Sequence, residues 1–120
     1  MSKYVDGFLI PILAKNVSAY RQMAKDAGKV WKKYGALDFK ECIGEDLSPK
    51  GVSFTFAKAV KLKKGEKIVF SYILYKSRAH RDRVNAKVMK DNSMNQYEGK
   101  EMPFDMKRMV YAGFDVIVDA

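Results

Sequence analysis

The stretch Lys67-Ile68-Val69-Phe70-Ser71-Tyr72-Ile73-Leu74-Tyr75-Lys76-Ser77-Arg78-Ala79-His80-Arg81-Asp82-Arg83-Val84-Asn85-Ala86-Lys87-Val88 changes period in its middle. Up to Lys76 it is a run of β-branched and aromatic residues, the kind that fill a pleated surface. Ser77 then offers a short hydroxyl side chain that can accept from the free N–H groups of a first helical turn. Beyond it His80, Val84 and Val88 recur four apart, which predicts a helix to about Lys90.

The N-terminal half has the same order. Tyr4 to Leu13 is apolar on both faces, as in a central strand, and Pro11 marks that strand's end or an edge position because it has no N–H to donate. Asn16 suits an N-cap. Tyr20, Met23, Ala24, Ala27, Val30, Trp31 and Tyr34 then fall on one helical face, and Gly35 supplies the left-handed residue that ends many helices. A strand follows at about Ala36 to Gly44, where Leu37, Phe39, Glu41 and Ile43 alternate with Asp38, Lys40 and Cys42. Residues 45–65 read as a long connection whose Phe54, Phe56, Val60 and Leu62 should dock as a helical turn or an added strand. Residues 91–106 read as a polar loop. The last strand is expected from Arg108 to Val118, with Val110, Ala112, Phe114, Val116 and Val118 on one face and Met109, Tyr111, Gly113, Asp115 and Ile117 on the other.

The order strand–helix–strand–strand–helix–strand predicts one α+β domain over residues 1–120. Its form is the ferredoxin-like arrangement, a four-stranded antiparallel sheet with two helices on one face. The other face should carry Phe70, Tyr72, Leu74, Met109, Tyr111 and Ile117. So much apolar surface left in water costs roughly 25 cal/mol per Å². Two sheets packed face to face about a two-fold axis would remove it, so a homodimer is expected. The alternative is that segments 45–66 and 91–106 fold over that face.

Net charge is +9, but the excess is spread along the chain and dominated by lysine. Residues 1–60 hold ten basic and six acidic side chains, and residues 61–120 hold thirteen and eight. The only dense run is Lys58, Lys61, Lys63, Lys64 and Lys67, which reads as solvated surface more readily than as a nucleic-acid contact. The single Cys42 cannot form an intrachain disulfide, which fits a reducing, cytoplasmic setting. No signal-like or membrane-length apolar run is present. One histidine and one cysteine do not make a zinc site of the usual composition. Gly-rich phosphate loops and dinucleotide fingerprints are also absent, so no metal or cofactor is called for.

Tyr75 to Met89 resembles the YbaA-like family of bacterial proteins of unknown function. So do Tyr4-Val5-Asp6-Gly7-Phe8, Met102-Pro103-Phe104-Asp105, Lys107-Arg108-Met109 and Gly113-Phe114-Asp115-Val116. The likeness covers nearly the whole chain, and departs at Met106 and Ala112, where glycines are expected. It implies a dimeric α+β barrel. The wider superfamily of that fold includes cofactor-independent monooxygenases, lactone isomerases, dye-decolorising peroxidases and ligand-binding regulators. Ligands there sit between sheet and helices or within the barrel. The family itself carries no established activity, so it supplies no catalytic residue.

The residues themselves offer three candidate constellations. His80 is the only side chain that titrates near neutrality unperturbed. Its place in the first turn beside Arg78, Arg81 and Arg83 would favour the neutral ring, so it is the candidate general base. The competing role is packing above Val84 and Val88. Ser77, Arg78 and Arg81 could hold an anion at the helix start, although Arg78 and Asp82 also suit an ordinary i, i+4 pair. Asp6, Phe70, Tyr72, Tyr111 and Asp115 are expected to gather on the non-helical sheet face, as a pocket or as interface packing. Two functional readings follow. One is a homodimeric small-molecule-binding protein working as a cofactor-independent enzyme, monooxygenase- or isomerase-like, on a small anionic or aromatic compound. The other is a ligand-binding or regulatory module without chemistry.

Overall fold

The computed structural model describes residues 2–120. Strand β1 (Tyr4–Leu13) leads through a 3-10 turn at Ala14–Asn16 into helix α1 (Val17–Lys33), then strand β2 (Asp38–Ile43). A short helix α2 (Phe56–Ala59) precedes strand β3 (Glu66–Tyr75), helix α3 (Arg78–Lys90) and strand β4 (Val110–Asp115). The sheet order is β2-β3-β1-β4 and every pairing is antiparallel. This is the ferredoxin-like arrangement that the alternation of elements predicts.

The change of period at Ser77 is real. Ser77 is extended, and its Oγ accepts from the His80 N–H at 3.1 Å, so the first turn of α3 is capped by its own side chain. Asn16 behaves differently from the expectation. Its backbone is already near-helical, φ −97° and ψ −3°, because the 3-10 turn runs straight into α1, and its side chain makes no capping bond. Gly35 has φ +110°, so it ends the first helical segment as expected.

Pro11 lies inside β1, opposite Ile68 of β3. Odd residues of β1 turn their backbone groups toward β4, as Lys3 does in accepting from the Val116 N–H at 2.9 Å. Strand β4 ends at Val110, opposite Leu9. The proline's missing donor therefore faces a place with no strand, which is the edge position its chemistry requires.

The core lies between the sheet and the two long helices. Tyr4, Val30, Ala36, Ile73, Tyr75, Val84 and Val88 form one cluster. Ile10, Ile12, Tyr20, Ala24 and Val69 form a second, and Phe8 packs against both. The segment after β2 docks only in part. Thr55 caps α2 by accepting from the Lys58 N–H at 3.2 Å, and Val60 is buried, but Phe54 is 73% exposed. The five lysines of the 58–67 run are all exposed.

The opposite sheet face is bare. Val5, Leu9, Phe70, Tyr72, Val110 and Phe114 border a hollow there, with Phe56 of α2 at its side. Phe70 is 42% and Phe114 57% exposed. The molecule is accordingly a slab, 39 × 38 × 20 Å, one sheet and one helix layer thick. Its radius of gyration is 15.4 Å, against about 13.6 Å for a compact chain of this length. Segments 45–66 and 91–106 do not close the face.

Strand β4 corrects two expectations. It stops at Asp115, and Arg108 belongs to a 3-10 turn whose guanidinium pairs with Glu66. The face assignment is also reversed. Tyr111 stands opposite Phe8, and Gly113 opposite Asp6, on the helix side. Val110, Ala112 and Phe114 are the residues on the bare face.

Candidate functional site

The structure divides the residues singled out in the sequence. Tyr72 is on the bare face, where its hydroxyl donates to Asp38 Oδ2 at 3.3 Å. Asp115 is exposed at the rim and accepts from Ser2 Oγ at 3.3 Å. Arg78 is exposed at the start of α3. His80 is occupied locally. Its Nδ1 accepts from the Lys76 N–H at 3.0 Å, and its ring sits edge-on to Tyr75. Desolvation, then Lys76, Arg83 and Lys87, hold its pKa below the ordinary histidine value. The ring is neutral, but its lone pair is already spent on the backbone.

Asp6, Tyr111 and Arg81 do come together, on the helix side and not the bare side. Asp6 is 2% exposed and accepts from the Tyr111 hydroxyl at 2.9 Å. Arg81 donates to Tyr111 at 3.2 Å and to the Tyr4 hydroxyl at 3.4 Å, and its guanidinium lies 5.0 Å from the Tyr4 ring centre. Arg81 Nε lies 3.9 Å from Asp6 and 3.3 Å from Asp82, yet is aligned for a hydrogen bond with neither. Burial, then the bond to Asp6, pushes the Tyr111 pKa up. Gly113 makes room for this cluster. A Cβ there would stand 2.8 and 2.9 Å from Cε2 and Cζ of Tyr4, and closer still to its hydroxyl. Apart from Arg81 Nε, the cluster's polar groups find partners within it, and it ties α3 to β1 and β4. A buried charge needs such partners, so the arrangement accounts for itself without a ligand.

The space for a ligand lies elsewhere, between α1, α3 and the sheet. A cavity of about 450 Å³ is lined from α1 by Tyr20, Met23, Ala24, Ala27 and Trp31, and from the sheet by Phe8, Phe39, Glu41, Ser71 and Ile73. Its outer wall is the segment after α3, through Met94, Tyr97, Met102, Phe104 and Met109. With Met89, five of the chain's seven methionines border it. Unbranched thioether side chains adapt to irregular guests. The outer wall is pinned by side chains. Tyr97 donates to Asp26 at 2.5 Å, Tyr34 donates to Asp91 at 2.5 Å, and Arg108 grips Glu66 and the Lys61 carbonyl.

One polar corner is built round Glu41. Glu41 accepts from the Tyr20 hydroxyl at 2.7 Å, beside buried Ser71. Glu41 sits on an edge strand with open space before it and is exposed. Protein packed round the carboxylate still strips enough water to raise its pKa, against the lowering effect of the Tyr20 and Ser71 hydrogen bonds. Burial, then Glu41 itself, pushes the Tyr20 hydroxyl well above the usual phenol range. Among the described residues no Lys, Arg or His pairs with Glu41. Asp91, the other carboxylate of the lining, is taken up by Tyr34, Lys33 and the Ser93 N–H. Among the described residues no Lys, Arg or His lines this cavity. A second hollow of about 380 Å³ shares Tyr20, Ala24, Phe39 and Glu41 and opens past Arg21 and Lys25.

The sequence did carry a signal for this corner. Glu41 falls in phase with Leu37, Phe39 and Ile43, so it is a carboxylate on the apolar side of a strand. The methionines read as packing because the cavity they border is built by a segment with no periodicity.

Fold and cavity together define a ferredoxin-like α+β protein with an apolar pocket between its helices and its sheet. The chain belongs to the family described as "Protein of unknown function (DUF1428)", which matches residues 3–106. It is 45% identical over 117 residues to "Uncharacterized protein YbaA" of Escherichia coli K12, covering 98% of each chain. The same identity and coverage hold for the protein of that name in Shigella flexneri. The family resemblance read from the sequence is thus confirmed. Among solved structures it is similar to a dimeric ferredoxin-like protein from an uncultured marine organism. That likeness has a TM-score of 0.64 and 12% identity over the full length of both chains, and it shows the shared fold. Among the described residues no helix is long and apolar enough to cross a membrane.

Proposed function

We propose that this chain is a cytoplasmic homodimer that binds a small, largely apolar organic molecule in the cavity between its helices and its sheet. The observation that carries this reading is the cavity itself: largely apolar walls with a few polar groups, Glu41, Ser71, Asp91 and Asn95 among them, the usual make-up of a small-molecule site. The bare sheet face supports the dimer. Strand lengths and spacings give it on the order of 500 Å² in projection. Phe56 and the chain around it extend that toward the roughly 800 Å² per partner of a standard interface. The similar marine protein is described as dimeric. The exposed lone Cys42 suits a reducing compartment.

Both functional readings use this cavity. As a binding module, the protein needs only its walls. As an enzyme, it has Glu41 as the acid–base group within reach of a guest, since His80 and Asp6 are committed to the backbone and to Tyr111. The test is calorimetric titration with 4-methylphenol, a neutral aromatic probe. Wild type should bind, and Ala27→Phe, which places a ring in the cavity, should reduce affinity at least ten-fold while keeping the same melting profile. Equal affinity in both proteins would refute the site.

A further inference from the structure

From the charges that face the cavity we infer the class of its ligand: an aromatic or branched apolar body bearing a hydrogen-bond-donating head, with a protonated amine preferred and carboxylates or phosphates rejected. This rests on the proposed site and goes beyond it, because an empty apolar cavity says nothing about charge.

The inference follows from an imbalance. A carboxylate facing an apolar hollow is either paired with a cation, saturated with donors or left to water, and Glu41, on the exposed edge strand, is in the last position. Asp91 is paired: Lys33, Tyr34 and the Ser93 N–H all reach it. Glu41 has the Tyr20 hydroxyl at 2.7 Å and the neighbouring Ser71, both neutral, and no cation among the described residues. A charged carboxylate has room for more donors than these two supply. A guest that brings an N–H or O–H to Glu41 completes the set, and one that brings positive charge also neutralises it. A guest that brings an anion meets Glu41 with no lysine or arginine among the described residues of this lining; Arg21 and Lys25 border only the adjoining hollow. The aromatic walls add to the preference, since Trp31, Phe39 and Tyr20 line the cavity and aromatic rings attract cations. The sequence left anionic and aromatic compounds both open; the lining favours the aromatic one and speaks against the anion.

Three probes with one ring and different heads test this: tyramine, 4-methylphenol and 4-hydroxyphenylacetate, titrated into the full-length protein and into Glu41→Gln. The Gln variant keeps an oxygen for Tyr20 to donate to, and a melting curve verifies that it folds. Wild type should bind tyramine most tightly and 4-hydroxyphenylacetate at least ten-fold more weakly. Glu41→Gln should bring the three within about three-fold of one another, by weakening tyramine and strengthening 4-hydroxyphenylacetate. An anion that binds as tightly as the amine, or a ranking that survives Glu41→Gln, would overturn the ligand class and leave the site standing. If none of the three binds wild type, the site falls and the ligand class falls with it.

Discussion

Gly113→Ala tests whether the Asp6, Arg81, Tyr111 and Tyr4 cluster is a brace and not a binding site. The added methyl would meet the Tyr4 ring at 2.8 and 2.9 Å and its hydroxyl at a shorter distance still. That ring is buried and cannot withdraw, because Arg81 stacks on it and holds its hydroxyl. Overpacking of this kind costs about 1–3 kcal/mol. Unfolding entropy is about 2.1 cal/mol/K per residue, or about 0.25 kcal/mol/K here, so the melting midpoint should fall by about 4–12 °C at fixed protein concentration. Tyr4→Ala removes the obstacle, so in that background the same substitution should cost almost nothing, and the two losses should not add. The assay is a four-protein thermal melt with 4-methylphenol titrations alongside. Affinity should stay within about two-fold in Gly113→Ala, because the cluster lies outside the cavity lining. An unchanged midpoint would refute the packing argument, and a large loss of affinity would return the cluster to the binding site.

Phe114→Glu puts a charge on the bare sheet face, where Phe114 is 57% exposed and its ring lies over Gly7. Sedimentation velocity should show a dimer for wild type and a folded monomer for the variant; a dimer in both would remove that face from the interface. His80→Ala should leave 4-methylphenol affinity unchanged in calorimetry while lowering the melting midpoint, since the ring braces the Lys76 backbone and Tyr75. A selective loss of binding would restore His80 as a ligand group. Asp91 has its pKa lowered by its bonds to Ser93 and Tyr34. The linked stability is therefore present above the unfolded value of about 3.9 and is lost as pH falls toward the lower folded value. The melting midpoint of wild type should drop on acidification below about pH 4 more steeply than that of Asp91→Asn, and parallel curves would show that Asp91 contributes nothing.

The fold was legible because its signals are local. The change from strand to helix at Ser77, the helical spacing of Tyr20, Ala24 and Ala27, and Gly35 each act within a few residues. What was not legible depends on register and on crossing segments. The parity of β4 is set by Tyr111 standing opposite Phe8, and nothing inside β4 reveals which of its two apolar faces meets the helices. For the same reason Asp6 and Tyr111 were expected on the bare face with Tyr72, and they lie on the other side. Asn16 misled because a 3-10 turn ahead of it removes the extended conformation a capping side chain needs. The cavity was invisible because residues 91–109, which wall it, have no period to read. Glu41 was visible as a charge out of place on an apolar strand face, a feature that acquires meaning only when the space in front of it is known.

The most direct test of the central claim is native mass spectrometry of the protein purified from its own host, wild type beside Ala27→Phe. A dimer that retains a small molecule in wild type and loses it in the variant is the expected result. A monomer, or a dimer whose bound mass is the same in both proteins, would contradict it.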